Sequence, residues 1–457
     1  MNNFFHVIKD PVHSTMQFTD TEDRWIKPFI DSPFLQRLRF IRQMGMGDFI
    51  FPGAVHTRFS HSIGCCYVAS QIAHKIHLSD TDRQLVMIAC LLHDIGHGPF
   101  SHTFEGIFVD KLIHHEDWTP YFLDDFRQAG FFDHYNLLNP QYPLYADNFE
   151  IIANMIMHYP VEDRVLADIV SSQLDADRLD YLLRDSHFCG VQYGQFDLRW
   201  MLHCLVIVNT EAGKRLGINY KGIGAVEHYL MARRLMIRNI YQLQKKIAFE
   251  NFFIQCFAEL STTLHENEQY AAIRNTRIGQ FLIAMNEFNQ SAISHTNRIH
   301  EKKEMFLQEN YHLYKELCDH DVFAIIKELA SYDSNEKIVQ LAKRLQHRSM
   351  PKTVRIDYVN LSAIEAELET FKSLHKDFIE PWQLTIMQTP HRSYSGESDP
   401  IWVVNEQGRV KPISQYSLML SALSDKLENS AFLCVDRMLI ADSRILSFLE
   451  KVKNMSE

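Results

Sequence analysis

Apolar residues recur at helical spacing along most of the first 330 residues of the chain. Between Asp82 and His93 they lie on nearly every side of the predicted helix, which indicates a deeply buried helix. This helix is expected to end just before Gly96, a residue type that suits a left-handed C-terminal cap. The same spacing predicts helices over residues 62–77, 161–187, 222–260, 268–290 and 297–330.

The last part of the chain has a different pattern. Residues 353–359 alternate between apolar and polar positions, and residues 382–387 and 401–404 are similar, so each segment is predicted to be a strand. The expected fold is therefore mainly α, with a helical domain over residues 1–335 and a smaller C-terminal α+β lobe over residues 336–457.

Composition is typical of a folded soluble protein, since 46% of the 457 residues are hydrophobic and 23% are charged. The formal net charge of -11 argues against a general binder of nucleic acid or anionic membrane, because such surfaces need clustered Lys and Arg. The 8 cysteines include no C-x-x-C pair, as expected for reduced core thiols. No signal peptide is evident, and no apolar run approaches the roughly 20 residues that span a bilayer. We therefore expect a cytoplasmic protein with no membrane partner.

The densest cluster of chemically active side chains is the run His93-Asp94-Ile95-Gly96-His97-Gly98-Pro99-Phe100-Ser101-His102. Imidazole nitrogens and carboxylate oxygens suit a transition-metal ion, and adjacent His93 and Asp94 at a helix end can face one point. Two ligands do not complete a metal site, so further ligands are expected from elsewhere in the chain. His61, at the start of a predicted helix, and Asp177 are the candidates.

Asp177 belongs to a predicted helix with an unusual set of polar side chains. Asp177, Tyr181, Arg184 and Asp185 are spaced i, i+4, i+7 and i+8, which places them on one helix face. The pattern indicates a binding site, and the alternative interpretation is a solvated charged face with local ion pairs.

Most of the 24 histidines must be incidental, and we treat His77, His134, His158, His203 and His265 as such. The histidines of the dense cluster differ from these. If they were unrelated core residues, several polar rings would be buried without partners, at a cost of roughly 1–3 kcal/mol for each unsatisfied group. A metal site is therefore the favoured interpretation of the cluster.

These motifs resemble the H…HD…D signature of the HD-domain phosphohydrolases. More closely, the chain is similar to the deoxynucleoside triphosphate triphosphohydrolases in Gln36-Arg37-Leu38-Arg39, Phe51-Pro52-Gly53-Ala54, Arg58-Phe59-Ser60-His61-Ser62 and Asp175-x-Asp177-x-x-Asp180-Tyr181. The resemblance covers roughly residues 6–250 and implies that the helical domain has an HD-domain core.

The resemblance also implies roles for individual residues. The implied metal ligands are His61, His93, Asp94 and Asp177. The implied catalytic residues are His97, His102, Glu105 and His115, with Glu105 orienting His102. The implied substrate-binding residues are Gln43, Met44, Arg58, Arg178, Tyr181, Asp185, Arg233 and Tyr241. The implied site for an activating nucleotide contains Asp31, Gln36 and Arg39.

The chemistry expected from this resemblance is metal-dependent hydrolysis of a deoxynucleoside triphosphate to deoxynucleoside and inorganic triphosphate. Ligation by two His and two Asp accommodates Fe, Mn, Zn, Ni or Co, and Mg²⁺ is expected to arrive with the triphosphate. His102 is the first choice of general acid and His115 the second. The resemblance further implies a guanine nucleotide as activator and a homodimer or homotetramer.

Two other functions remain open at the level of the sequence. The first is an HD phosphohydrolase that acts on another nucleotide or on a phosphomonoester. The second is a non-catalytic nucleotide sensor, against which the presence of His97, His102 and His115 argues, because a sensor needs no general acid. Product identity distinguishes the first alternative, and binding without turnover distinguishes the second.

Overall fold

The structure is a computed structural model, and it describes residues 6–18, 23–128, 130–294, 298–392, 394, 396 and 398–456. These residues form a mainly helical fold with small sheets, which confirms the predicted helical core with a smaller α+β lobe. Among them, no helix combines the length and the apolar character that crossing a bilayer requires.

The helices, in chain order, are α1 (Lys27–Ile30), α2 (Pro33–Gln36), α3 (Arg58–Lys75), α4 (Asp80–Leu92), α5 (His102–Glu105), α6 (His115–Gln128), α7 (Phe131–Leu138), α8 (Ala146–Ile156), α9 (Arg164–Val170), α10 (Ala176–Cys189), α11 (Leu198–Cys204), α12 (Ile223–Met236), α13 (Gln244–Thr263), α14 (Ala271–Arg274), α15 (Arg277–Ser294), α16 (Ile299–Tyr314), α17 (Asp319–Ser331), α18 (Lys337–Gln346), α19 (Leu361–Leu374), α20 (Leu418–Leu423) and α21 (Ser443–Ser456). The strands are β1 (His6–Asp10), β2 (Ser14–Phe18), β3 (Leu205–Thr210), β4 (Gly213–Asn219), β5 (Lys352–Ile356), β6 (Leu384–Arg392), β7 (Trp402–Val404), β8 (Val410–Pro412) and β9 (Leu427–Val435).

The chain divides into two compact units, each assembled from three separate stretches of sequence. Unit 1 comprises Met1–Met236, His295–Asp319 and Tyr394–Asp425, and unit 2 comprises Ile237–Ser294, His320–Ser393 and Lys426–Glu457. The sequence pattern predicted a single division between residues 335 and 336. The two divisions differ because periodicity records which residues are buried but not which distant segment buries them.

Helices α3, α4 and α10 form the centre of unit 1. Every residue of α4 from Arg83 to Leu92 is buried, in agreement with its uniformly apolar pattern. Helix α10 begins at its N-cap Asp175, whose carboxylate accepts a hydrogen bond from the backbone of Arg178. Gly64 allows α10 to approach α3, because a Cβ at this position would lie 2.0 Å from Oδ1 of Asp180.

Unit 1 also contains two sheets that the sequence pattern did not reveal fully. Strands β1 and β2 form an antiparallel hairpin, and β3-β4-β7-β8 form a second sheet in which β4 and β7 are parallel. Only β7 was predicted. The hairpin of β3 and β4 was missed because a short apolar run such as residues 205–208 cannot be distinguished from a buried helix by periodicity alone.

Unit 2 contains the three-stranded sheet β5-β9-β6, with β9 in the centre. Successive residues of β9 point to opposite faces of the sheet. Leu433 and Val435 belong to a core with residues of α19 and α21, whereas Phe432 and Cys434 pack against Ala248 of α13. The predicted strands over 353–359 and 382–387 correspond to β5 and β6.

Several predicted helices are interrupted. The predicted helix over 161–187 is divided into α9 and α10, because Asp175 caps a new helix. The predicted helix over 222–260 contains a π-helical turn at Ile237–Tyr241, in which the backbone of Gln242 donates to the carbonyl of Ile237 at 2.8 Å. Shorter breaks divide residues 268–290 and 297–330.

The predicted left-handed cap at Gly96 is wrong, since this glycine does not have a positive φ. Gly96 is required for close packing instead. A Cβ at this position would lie 2.2 Å from the carbonyl oxygen of His115 and 2.4 Å from Oγ1 of Thr119, so helix α6 could not approach the turn.

Candidate metal centre and active site

Three packed helices of unit 1 bring the four predicted metal ligands together. His61 lies in the first turn of α3, His93 and Asp94 directly follow the last residue of α4, and Asp177 lies in the first turn of α10. Nε2 of His61 is 3.0 Å from Oδ1 of Asp177 and 3.6 Å from Oδ2 of Asp94. Nε2 of His93 is 3.4 Å from Oδ1 of Asp94 and 3.5 Å from Oδ1 of Asp177.

The hydrogen bonds of the two imidazoles determine which nitrogen faces the carboxylates. Nδ1 of His61 donates to Oδ2 of Asp180 at 2.8 Å, and Nδ1 of His93 donates to the carbonyl of Cys90 at 2.8 Å. In each neutral ring, Nε2 therefore presents a lone pair. Nε2 of His93 is buried and makes no hydrogen bond with any residue that the structure describes.

Two imidazole lone pairs and two carboxylates that converge on one point repel one another unless a cation lies between them. Burial lowers the pKa of His61, but hydrogen bonds to Asp177 and Asp180 outweigh burial and raise this pKa to about 10, so the ring is neutral only when a metal ion takes the place of the proton on Nε2. The same concentration of negative charge favours a divalent metal ion. The donor set of nitrogen and oxygen atoms fits the transition metals Fe, Mn, Zn, Ni or Co, with the imidazoles oriented by their Nδ1 partners.

Cys65 is a neighbour of this centre that the sequence analysis did not single out. Its Sγ lies 3.4 Å from Nε2 of His61 and could reach a metal ion together with His61, His93 and Asp177. Burial raises the pKa of the Cys65 thiol well above its usual value, and nearby carboxylates raise this pKa further. Without a bound metal ion the thiol is therefore protonated, and coordination by Cys65 would require loss of this proton.

Asp180 orients the candidate ligand His61 through its Nδ1, whereas Asp94 and Asp177 face Nε2 of the same ring. It accepts hydrogen bonds from Nδ1 of His61 at 2.8 Å, from Nε2 of His13 at 2.6 Å, and from Nε and Nη2 of Arg184 at 2.8 and 2.9 Å. Nη1 of Arg184 donates to Asp10 of the β1–β2 hairpin at 2.8 Å. Arg184 is fully buried in this network and forms ion pairs with Asp180 and Asp10.

The four predicted catalytic residues form a second cluster that adjoins the first. Nδ1 of His115 lies 2.8 Å from Glu105, and Nδ1 of His102 lies 3.2 Å from the same carboxylate. His97 stacks on His115 with ring centroids 3.6 Å apart, and its Nε2 is 3.3 Å from Oδ1 of Asp94. His114, which the sequence analysis did not assign, also lies 3.2 Å from Glu105.

This second cluster is better suited to proton transfer than to a metal ion. Its donor atoms lie close enough to share an ion. However, the parallel rings of His97 and His115 cannot both direct in-plane lone pairs at one point, and the Nδ1 atoms of His102 and His115 face Glu105. Burial raises the pKa of Glu105, but hydrogen bonds from His102 and His115 outweigh burial and hold this pKa well below its usual value. Glu105 is therefore an anion that orients the surrounding imidazoles.

Arg58, a predicted substrate-binding residue, lies between the two clusters. Its Nη1 donates to Oδ2 of Asp94 at 2.7 Å, and its Nε donates to Oγ of Ser101 at 2.9 Å. Together with burial, the positive charge of Arg58 lowers the pKa of His97 well below its usual value, so that imidazole is neutral. The guanidinium thus provides fixed positive charge beside both the metal ligands and the histidine cluster.

Other predicted substrate-binding residues lie along α10 and the loop that precedes α3. Tyr181 is half-buried, and its ring centroid is 6.4 Å from that of His61. Asp185 is buried and lies 2.6 Å from Nε2 of His56, a residue that the sequence analysis did not assign. The backbone of Gln43 donates to the carbonyl of His56, and the side chain of Met44 is buried.

The remaining predicted substrate-binding residues are arranged in different ways. Nη1 of Arg178 pairs with Asp175 at 2.8 Å, and Nη1 of Arg233 donates to Oε1 of Gln173 at 3.3 Å. Tyr241 lies in unit 2, at the end of the π-helical turn, whereas Arg233 lies in unit 1 on α12. Because the π-helical turn directly follows α12, residues 223–241 are not one regular α-helix, and a shared face for Arg233 and Tyr241 stays a prediction.

The three residues predicted to bind an activating nucleotide lie in and next to α1 and α2. Oε1 of Gln36 accepts a hydrogen bond from Nε of Arg39 at 2.6 Å, and Nε2 of Gln36 donates to the carbonyl of Ile30. The Arg39 guanidinium lies 3.6 Å above the ring centroid of Phe59. Asp31 and Arg39 are exposed, so both are accessible to a ligand.

Residues 58–184, from the start of α3 into α10, match the family model of the HD domain. The four candidate ligands all lie within this segment. Because the match begins at Arg58, the β1–β2 hairpin with Asp10 and His13 lies outside the matched segment.

The relatives of this chain include deoxynucleoside triphosphate triphosphohydrolases, which confirms the resemblance seen in the sequence. The chain is 26% identical over 453 residues to the uncharacterized protein YwfO of Bacillus subtilis, which covers 95% of this chain and 93% of YwfO. It is 32% identical over 268 residues to the deoxynucleoside triphosphate triphosphohydrolase SAMHD1 of Homo sapiens. That match covers 52% of this chain and 41% of the human protein, so the chain spans less than half of the length of that relative.

A solved structure shows the same architecture along nearly the whole chain. A phosphohydrolase from Bacteroides thetaiotaomicron superposes with a TM-score of 0.72 at 25% sequence identity. The superposition covers 95% of this chain and 100% of the other. The chain thus contains a segment that matches the HD domain, and along nearly its whole length it is similar in structure to a phosphohydrolase.

Proposed function

We propose that this protein hydrolyses deoxynucleoside triphosphates to deoxynucleoside and inorganic triphosphate, using a divalent transition metal bound by His61, His93, Asp94 and Asp177. One observation carries the proposal. Two imidazole lone pairs and two carboxylates converge beside a fixed arginine and an ordered cluster of histidines. The similarity to proteins named deoxynucleoside triphosphate triphosphohydrolases supports this choice of substrate.

The residues divide the chemical work between the two clusters. A bound metal ion would polarise a phosphoryl oxygen and lower the pKa of a water molecule that it binds. Arg58 would neutralise charge on the triphosphate, whose own Mg²⁺ would accompany it. When the bond at the α-phosphorus breaks, the 5′-oxygen needs a proton. His102, held by Glu105, is the proposed donor, and His115 is the second candidate.

Regulation and assembly form part of the same proposal. Asp31 and Arg39 are exposed, and Arg39 is already linked to Gln36, so these residues could bind a guanine nucleotide that activates the enzyme. A homodimer or homotetramer in the cytoplasm is the proposed working state. Addition of GTP or dGTP to the activity assay tests activation, and measurement of the molecular mass of the protein in solution tests the oligomeric state.

The reaction is tested by incubating the metal-loaded full-length protein with each dNTP and NTP, with and without GTP, and identifying the products by ³¹P NMR. Inorganic triphosphate and a deoxynucleoside are expected. In H₂¹⁸O the label should enter the triphosphate, since attack at the α-phosphorus releases the 5′-oxygen unlabelled.

Two other outcomes would contradict this proposal and identify the alternatives. Orthophosphate released from a monophosphate would indicate an HD phosphohydrolase with another substrate. Tight dNTP binding without turnover, repeated with Fe, Mn, Zn, Ni and Co, would indicate a nucleotide sensor. Folded Asp177→Ala protein is the negative control, and activity equal to that of the wild type would exclude the proposed metal centre from the reaction.

A further inference from the structure

A strained segment of backbone links the metal centre to the histidine cluster. Phe100 and Ser101, directly before His102, have φ values of 52° and 54°. Residues with side chains rarely adopt positive φ, and two in succession persist only where surrounding contacts hold them. The contacts that hold this segment therefore determine where His102 and Ser101 lie.

Asp319 makes the contact that joins this segment to the substrate side of the site. One carboxylate oxygen of this buried residue accepts a hydrogen bond from the backbone N–H of Phe100 at 2.7 Å. The other accepts from the backbone N–H of Arg42 at 3.0 Å. Arg42 directly precedes Gln43 and Met44, so one carboxylate ties the predicted substrate loop to the catalytic segment.

The same connection continues to Arg58. Oγ of Ser101 donates to the carbonyl of Arg42 at 2.8 Å and accepts from Nε of Arg58 at 2.9 Å. Arg58 in turn binds Asp94. Displacement of Phe100 or Arg42 would therefore move both the charge that faces the triphosphate and the proposed proton donor.

The location of Asp319 argues against an ordinary role in its own helix. It is the first residue of α17, where an acidic side chain usually compensates the positive end of its own helix. Here both oxygens bind backbone groups that are distant in sequence. Burial raises the pKa of Asp319 to about 7 despite these two donors, so burial of its charged form is unfavourable. An aspartate that only capped its own helix could stay exposed to solvent.

We propose that Asp319 is a positioning residue, which sets the strained Phe100–Ser101 segment and the Arg42–Gln43 segment so that His102 and Arg58 face the same phosphate. The proposal rests on the proposed phosphohydrolase function. It concerns the geometry of the site and not the binding of the metal, and its test includes a measurement that does not depend on activity.

The test uses Asp319→Asn in the full-length protein. Asparagine has nearly the same shape but offers one acceptor oxygen, and its amide N–H₂ would face a backbone N–H. We expect kcat to fall by about 10- to 100-fold and KM to rise, because His102 and Arg58 are displaced from the phosphate and the Arg42–Gln43 segment is no longer held in position. Metal content should be unchanged. Asp163→Asn, which alters an exposed N-cap on α9, should leave kcat unchanged.

Hydrogen exchange supplies the independent measurement. In peptides covering residues 40–46 or residues 96–104, amide exchange should be at least about tenfold faster in Asp319→Asn than in the wild type, because the single acceptor oxygen of asparagine serves only one of the Arg42 and Phe100 N–H groups. If no dNTP is hydrolysed by the wild type, the proposed function fails, and this measurement still decides whether Asp319 holds the segment. Unchanged exchange overturns the proposal.

Ser101→Ala keeps the test decisive if Asp319→Asn does not fold. This variant removes the hydroxyl that links Arg42 to Arg58 and leaves Asp319 intact, so a fall in kcat is expected again. If Asp319→Asn folds, the fold-loss of kcat in the double variant should be smaller than the product of the fold-losses in the two single variants, since both substitutions break one connection. Wild-type kcat in Ser101→Ala, or multiplicative losses in the double variant, would contradict the proposed connection.

Discussion

The two clusters of the candidate active site share the run His93–His102 as a source of residues, yet they differ in how firmly the protein holds them. At the metal centre the side chain of His61 is 0% exposed, and its Nδ1 partner Asp180 is itself bound by Arg184 and His13. In the histidine cluster the side chain of His102 is 65% exposed and that of His114 is 46% exposed, and both depend on Glu105.

The difference agrees with the roles that we propose for the two clusters. A metal site loses affinity when its ligands move, so layers of buried hydrogen bonds that fix each ligand are an advantage. A general acid must exchange its proton with solvent after each turnover, so it needs an exposed face and one orienting partner. We therefore expect substitutions in the first cluster to act on metal binding and those in the second to act on kcat.

Removal of a ligand should have the largest effect. Asp177→Ala is expected to lose the metal and to lower activity by about 10³-fold or more, because Asp177 faces both His61 and His93. Metal content by mass spectrometry and turnover of dNTP measure the two effects. His134→Ala, which removes an exposed histidine on α7, should change neither. Full metal occupancy in Asp177→Ala would contradict the assignment.

Loss of the acid should give a smaller effect with the metal retained. His102→Ala is expected to reduce kcat by about 10²- to 10⁴-fold at normal metal content. A substrate with a p-nitrophenolate leaving group, which needs no proton, should lose much less. If His115→Ala shows this difference between substrates and His102→Ala does not, the roles of the two histidines are exchanged.

The next substitution tests whether Asp180 acts on metal affinity or on the reaction itself. Asp180→Asn should lower metal affinity by about 10- to 100-fold, because Nδ1 of His61 loses its anionic partner. At saturating metal, kcat should return close to the wild-type value. Metal titration followed by activity provides both numbers. A large loss of kcat that excess metal does not restore would show that Asp180 acts on the reaction directly.

The smallest expected effect concerns the packing that brings Asp180 to the centre. In Gly64→Ala the new methyl group would meet Oδ1 of Asp180 at 2.0 Å and Nη2 of Arg184 at 2.4 Å, so α3 and α10 must separate. We expect a loss of about 1–3 kcal/mol in the free energy of unfolding. In the matched control Gly224→Ala, where nothing lies within 4 Å of the new Cβ, stability should stay the same or rise slightly. Equal effects in the two variants would contradict this packing role.

The sequence alone determined the type of fold and most of the chemistry. The uniformly apolar pattern of α4 predicted its burial, and the residue types of His93 and Asp94 at its end pointed to metal binding before any partner was known. Such inferences succeed because periodicity and residue type are local properties. A histidine or aspartate in an otherwise apolar helix end needs a chemical reason to be there.

Tertiary structure alone decided which distant residues complete the site. His13 and Asp180 are 167 residues apart, and Phe100 and Asp319 are 219 residues apart, yet each pair is hydrogen-bonded. The sequence left two interpretations of the charged face of α10, a binding site or a set of local ion pairs. In the folded protein both occur, since Arg184 pairs with Asp180 in the core and Asp177 lies beside the candidate metal ligand His61. The physical reason is that the sequence pattern predicts which side chains are buried, because burial depends on local hydrophobicity. Hydrogen-bond partners are determined only when segments that are distant in sequence pack together.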